Sequence, residues 1–199
     1  MPPVVTDERD GGGDGLPPGT RRRVVHTGMW LALIAIGMLF IGLSSAYVVR
    51  SGLGDDWQAL SLPPLLWLNT RVLVASSITL DLTRRALLGG RREACNKWLL
   101  ATVVLGAAFL VGQYVVWQQL AAAGVYLATN PSSSFFYVLT ASHAVHLLGG
   151  LAALAYLAVE AVRFRLGPAK RTVVEVTAIY WHFMDVLWVY IMGLLAFYR

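Results

Sequence analysis

The chain has 199 residues and a formal net charge of +5 at pH 7; 57% of its residues are hydrophobic and only 14% are charged. In soluble domains about a quarter of the residues are charged, so this composition predicts a membrane protein. The basic residues lie in loops between apolar runs, which argues against a nucleic-acid-binding patch and indicates membrane topology. Cys95 is the single cysteine, which excludes an internal disulfide and an iron–sulfur cluster.

Residues 1–23 predict a disordered cytoplasmic tail, because they combine glycine and proline runs with mixed charges and show no apolar periodicity. The apolar run at 24–49 follows three arginines. It is much longer than the hydrophobic part of a signal peptide, which has about 7 to 15 residues, and no convincing cleavage site follows it. The run therefore predicts a retained transmembrane helix.

Four further apolar stretches each approach the length of about 20 residues that crosses a bilayer. Their connectors are short, and the sequence shows no internal repeat of the kind found in inverted-repeat transporters. We therefore expect an all-α, polytopic membrane protein with one five-helix domain over residues 24–199. The predicted helices span residues 24–49, 64–82, 98–120, 135–159 and 173–197.

Lysine and arginine are distributed unequally between the two sides of this predicted bundle. The tail has four, the loop after the second helix has five and the loop after the fourth helix has four, whereas the opposite side has only Arg50 and Arg199. Basic loops stay in the cytoplasm, so the N-terminus is predicted to be cytoplasmic and the C-terminus to lie outside. Trp30 lies near a predicted membrane boundary, where aromatic residues are enriched.

The last predicted helix contains the run TAIYWHFMDVLWVYIM, which is apolar but carries His182 and Asp185 three residues apart. Trp181 and Trp188 are seven residues apart, and Glu175 lies just upstream. At 100° per residue, Glu175, His182 and Asp185 fall within one arc of about 80°. A charge near the bilayer centre costs about 2.5 to 3.5 kcal/mol, so we expect this face to pack against protein.

The fourth predicted helix carries His143 and His146, which share a face at a spacing of three. With Glu175 and Asp185 they could assemble a metal site of two histidines and two carboxylates. The alternative is that the imidazoles bond to the carboxylates and to backbone between helices without metal. We favour this second interpretation, because the spacing is loose for a metal site.

Three polar residues of the second and third helices are candidates for contacts beyond their own helix. Asn69 and Gln113 could form hydrogen bonds to neighbouring helices. Arg71 lies about 10 Å inside the outer boundary at 1.5 Å per residue. It could extend its stem towards the interface, or it could hold a lipid phosphate or an acidic group of a partner in a bidentate contact.

The run AIYWHFMDVLWVYI resembles the last helix of subunit III of haem-copper oxidases of the cytochrome c oxidase type. SHAVHLLGG is similar to the histidine-rich penultimate helix of that family. FIGLSSAYVV, LNTRVLVASSIT and LGAAFLVGQYVVW resemble its earlier helices, in the same order. The resemblance covers about residues 24–198 and indicates the five-helix bacterial form. Ile36 and Val116 stand where the family carries glutamates, so no role of those carboxylates is carried over.

The resemblance implies a non-catalytic accessory subunit III in the aerobic respiratory chain, multi-pass in the bacterial plasma membrane. Such a subunit carries no cofactor of its own, contacts the catalytic subunit I directly and shares the complex with subunit II. Haem and copper are expected on these partners. The subunit would hold phospholipids in a cleft between its first two helices and the remaining bundle. It would also support assembly and sustained proton uptake by subunit I.

Two sets of site residues follow. The expected structural polar network comprises His143, His146, Glu175, Trp181, His182 and Asp185, and the expected lipid or subunit contacts are Trp30, Asn69, Arg71 and Gln113. The four histidines of the chain fall short of the about six that two haems and a copper would need. The alternatives are the equivalent subunit of a quinol oxidase or nitric oxide reductase, or a free-standing proton-coupled transporter or membrane metalloenzyme.

Overall fold

A computed structural model describes residues 18–53, 57–58, 60–163 and 171–197 of the chain. These ranges contain five α-helices and no strand, which confirms the all-α fold class. Each helix is long and apolar enough to cross a membrane. The helices are α1 (Pro18–Leu53), α2 (Leu65–Leu88), α3 (Arg92–Ala122), α4 (Pro131–Val162) and α5 (Arg171–Phe197). The first 17 residues of the predicted tail lie outside the described ranges.

The helices extend beyond the apolar runs from which they were predicted. α1 begins at Pro18, so residues 18–23, which the sequence assigns to the tail, belong to the helix. α2 continues six residues past the predicted end at residue 82, and α3 begins six residues before 98. An apolar run marks the part of a helix that lies in lipid, whereas the backbone hydrogen bonds continue through the polar flanks.

Local sequence explains two of the connections. Asn130 caps α4, because its side chain accepts a hydrogen bond of 2.8 Å from the Ser133 amide and its own amide donates to Ser133 Oγ at 3.2 Å. Pro131 follows at the first helical position, where a missing amide hydrogen costs nothing. Gly90, in the turn between α2 and α3, has a φ of +68°, which favours glycine.

Helix α5 is the central element of the bundle. It contacts α1, α2 and α4, and 56% of its most apolar window is buried, against 22% to 33% in the other helices. α3 packs along α2 and against α4, and α1 packs on α4 and α5. Within the described ranges α1 and α2 make no close backbone approach. The first two helices therefore do not pack directly on each other, and the phospholipid cleft that the resemblance implies stays a prediction.

The indole of Trp181 fills the middle of this bundle and is completely buried. Two glycines make room for it. A Cβ atom added at Gly106 of α3 would lie 2.8 Å from Trp181 Cη2, and one added at Gly150 of α4 would lie 3.2 Å from Trp181 Cε3 and 2.9 Å from Tyr180 Cε1. Membrane helices associate through such close approaches at small residues.

We expect Gly150→Ala to lower the free energy of unfolding by about 1 to 3 kcal/mol, because the new methyl group overlaps the Tyr180 ring. Gly149→Ala is the matched control, because its Cβ would lie 4.0 Å from the nearest side-chain atom, Tyr180 Oη. Unfolding of both variants by sodium dodecyl sulfate in mixed micelles measures the difference. Equal stability of the two variants would contradict the packing described above.

Candidate functional site

A chain of polar side chains joins α2 to α5. Ser77 Oγ lies 2.7 Å from His182 Nδ1, and the Ser77 hydroxyl donates to Asp185 Oδ2. On the other side of the imidazole, His182 Nε2 lies 3.3 Å from Asp81 Oδ1. Arg84 Nη1 donates to the same Asp81 oxygen at 3.4 Å. We call these five residues the α2–α5 polar chain.

The donor directions in this chain follow from the number of hydrogens available. Ser77 has one hydroxyl hydrogen, which it gives to Asp185. His182 Nδ1 must therefore carry the hydrogen that Ser77 Oγ accepts. When Nε2 is also protonated, it donates to Asp81, and the imidazolium then lies between a hydroxyl and a carboxylate.

Solvent exposure of the side chains falls along the α2–α5 polar chain from Asp81 to Asp185. The Asp81 side chain is 48% exposed and the His182 side chain 32%, whereas Asp185 is only 6% exposed. Asp185 Oδ1 is buried and has no hydrogen-bond partner among the described residues. The chain thus leads from an accessible carboxylate to an enclosed one.

Glu175 lies apart from this chain. It is seven residues before His182, which is about 10 Å along the helix. Its Oε2 atom lies 3.1 Å from Arg22 Nη2 and 3.8 Å from His26 Nε2, both on α1. Glu175 therefore connects α5 to α1 near the beginning of both helices, at a half-exposed position.

The two histidines of α4 are separate again. His143 is completely buried, its ring centroid lies 4.9 Å from that of Trp188 and 6.0 Å from that of Phe109, and neither ring nitrogen has a partner in the described part of the chain. His146 Nδ1 lies 2.7 Å from the Ser142 carbonyl oxygen. Neither histidine is bonded to Glu175 or Asp185.

The histidines and carboxylates of the predicted polar network therefore lie in three separate places: the α2–α5 polar chain, the contact of Glu175 with α1, and the two histidines of α4. Within the described ranges, no three His, Cys, Asp or Glu side chains come together as a group that could hold a metal ion. Tyr180 links α5 to α4 by donating to the His146 carbonyl oxygen at 2.8 Å. Trp181 Nε1 donates to Ser76 Oγ at 2.9 Å, next to Ser77.

Ser77, Asp81 and Arg84 are the residues of this site that the sequence analysis does not name as site residues. Ser77 and Asp81 are four residues apart and share one face of α2. Asp81 is the one carboxylate of α2, and its spacing from Ser77 was the available signal.

The expected lipid or subunit contacts occupy different environments. Asn69 is buried and donates to the Phe109 carbonyl oxygen on α3 at 3.0 Å, and the amide of Gln113 is buried without a partner among the described residues. Arg71 and Trp30 are exposed on the outside of the bundle. The structure gives Arg71 no hydrogen bond or ion pair within the described ranges.

We expect His182→Leu to lower the free energy of unfolding by about 1 to 2 kcal/mol, because it removes the contacts of the imidazole with Ser77 and Asp81 between two helices. Glu175→Leu should cost less than about 1 kcal/mol, because its ion pair is half-exposed. Unfolding in mixed micelles measures both. A larger loss for Glu175→Leu than for His182→Leu would contradict this ranking.

The sequence is similar to those of known proteins over almost the whole chain. The sequence profile of a family described as cytochrome c oxidase subunit III matches residues 15–198. A probable cytochrome c oxidase subunit 3 from Nocardia farcinica is 31% identical over 187 residues, which cover 90% of each chain. Cytochrome c oxidase subunit 3 from Corynebacterium diphtheriae is 31% identical over 176 residues and 85% of each chain. The protein of that name from Thermostichus vulcanus is 32% identical over 174 residues and 84% of each chain.

Proposed function

This chain belongs to the cytochrome c oxidase subunit III family, and on that premise we propose that it is a non-catalytic accessory subunit of a haem-copper terminal oxidase. The complex passes electrons to oxygen and moves protons, and its haem and copper belong to partner subunits. One observation carries the proposal: Glu175, His146 and the pair His182 and Asp185 lie in three separate places, where each contacts a helix, instead of converging on one point.

The partners follow from the same premise. We propose direct packing against subunit I and membership of one complex with subunit II, in the plasma membrane of a bacterium. The matched relatives are bacterial proteins named as subunit 3, which supports this assignment. The basic residues of the tail and of two loops support a cytoplasmic N-terminus and an outer C-terminus. In this position the chain supports assembly and sustained proton uptake by subunit I.

Copurification tests the accessory role. A tagged chain should bring down a haem-rich partner, whereas an isolated chain with activity or stoichiometric metal of its own would contradict the proposal. Asp185→Leu should lower the yield of intact complex severalfold, because Ser77 then loses its acceptor at the α2–α5 contact. The haem absorption spectrum of the complex that survives should equal that of the unchanged protein.

Asp185→Asn is the matched control for this experiment, because an amide oxygen still accepts the Ser77 hydrogen bond. We expect its complex to form in higher yield than that of Asp185→Leu. A haem spectrum altered in the intact Asp185→Leu complex would contradict the separation of this chain from the redox centres.

Phospholipid binding is part of the proposal, and two places on the surface of the bundle support it. Arg71 presents an exposed guanidinium on α2, one turn from the exposed ring of Trp67. The second is a groove of about 600 Å³ at the start of α3, where Arg91, Arg92 and Lys97 outnumber Glu93 and lie beside Trp98. Clustered cations beside an interfacial aromatic suit an anionic headgroup.

We propose that Arg71 holds an acidic group, a lipid phosphate or a carboxylate of subunit I, through its two-pronged guanidinium. Arg71→Leu should lower the phospholipid content or the yield of the complex. Arg71→Lys should lower them nearly as much, because lysine keeps the charge but not the fork. Lipid phosphorus and subunit ratios of the purified complex measure the effect.

The lysine variant separates this proposal from the alternative that Arg71 only extends towards the interface. A lysine does that equally well. Unchanged lipid content and assembly in both variants would contradict the binding role of Arg71, and extension towards the interface would be the remaining explanation.

A further inference from the structure

The α2–α5 polar chain runs from the basic end of the bundle towards its interior. Asp81 lies seven residues before the end of α2 at Leu88, which is about 10 Å at 1.5 Å per residue. Ser77 is 11 residues from that end and His182 is 11 residues from the start of α5, so both lie at about 16 Å. Asp185 lies deepest, at about 21 Å from the start of α5.

A purely structural role does not account for the inner end of this chain. Buried carboxyl groups normally have both oxygens paired, but Asp185 Oδ1 has no hydrogen-bond partner in the described part of the chain. The outer end is different, because Asp81 is half-exposed and bonded to Arg84. Hydrogen-bonding groups thus connect an enclosed acid to an accessible one.

Within the described ranges, no titratable group of the other packed helices bonds to Asp185 or His182. His143 of α4 packs against the rings of Phe109 and Trp188, and neither of its ring nitrogens has a hydrogen-bond partner there. Glu175 of α5 pairs with Arg22 and His26 of α1 about 15 Å from Asp185 along the helix. His146 of α4 bonds to the backbone of its own helix. The polar groups in contact with Asp185 and His182 are therefore those of the α2–α5 polar chain.

We propose that Asp185 is a proton-exchange site that communicates with the basic end of the bundle through Ser77 and His182. A proton that arrives beside Asp81 bonds to His182 Nε2, and the Nδ1–H bond breaks as its proton passes to Ser77 Oγ. The former hydroxyl hydrogen of Ser77 moves to Asp185 Oδ2. One proton has entered, the carboxylate has become a carboxylic acid, and His182 has changed from the Nδ1–H to the Nε2–H tautomer. The reverse transfers release the proton.

The residue types suit this transfer. Imidazole accepts a proton at one nitrogen while it gives up another. A hydroxyl group accepts and donates at one atom. The inference depends on the contacts between α2 and α5 and not on the partner subunits, so its failure would leave the accessory role standing.

A pH jump followed by infrared spectroscopy tests the proposal in the intact complex. Asp185→Asn assigns the carboxyl and carboxylate bands of Asp185, and the rate at which these bands interconvert is then measured. We expect Ser77→Ala to slow the interconversion at least about tenfold, because the link to Asp185 Oδ2 is lost. Ser76→Ala is the matched control, because that hydroxyl bonds to Trp181 and lies outside the chain.

Two further variants keep the test decisive if Ser77→Ala does not assemble. Ser77→Thr retains a hydroxyl group and should keep the original rate. His182→Gln retains hydrogen-bonding atoms on both sides but cannot relay a proton, so it should slow the rate as Ser77→Ala does. Bands of Asp185 that do not respond to the pH jump, or an unchanged rate in Ser77→Ala or His182→Gln, would overturn the proposal.

Discussion

The arrangement of the bundle depends on the packing of the enclosed Trp181 indole between the helices. Lipid is as apolar as the helix surfaces, so association in the membrane rests on close packing and on hydrogen bonds between helices. Trp181 provides both, because its ring packs against Gly106 and Gly150 and its nitrogen donates to Ser76. Four of the five helices thus meet at one side chain, and α5 becomes the most buried helix.

The polar residues follow from that packing according to their depth. Near the start of α5, Glu175 meets Arg22 at a half-exposed position, where such a pair adds little stability. Deeper in the bundle, Asp185 is enclosed and is bonded to Ser77. His143 is enclosed by aromatic rings instead. One helix face can therefore carry groups of the same chemical type in quite different environments.

Much of the fold could be predicted from the sequence, because a run of about 20 apolar residues leaves few alternatives to a spanning helix. The ends of the helices could not, since hydropathy changes at the lipid boundary and not where the hydrogen bonds stop. In the site, the arc shared by Glu175, His182 and Asp185 describes only their directions on an isolated helix. This arc does not show which neighbouring helix lies at each depth along α5. In the structure Glu175 contacts α1, whereas His182 contacts Asp81 on α2.

Adjacent serines on α2 meet adjacent residues on α5, since Ser76 accepts from Trp181 and Ser77 contacts His182. Sliding α2 by one residue would turn both hydroxyls away, and the next equivalent position is a full turn of about 5.4 Å distant. In that position the buried Leu80 would face the indole nitrogen and could not accept its hydrogen. The paired serines therefore favour the observed register of α2 on α5 over one displaced by a turn in this direction.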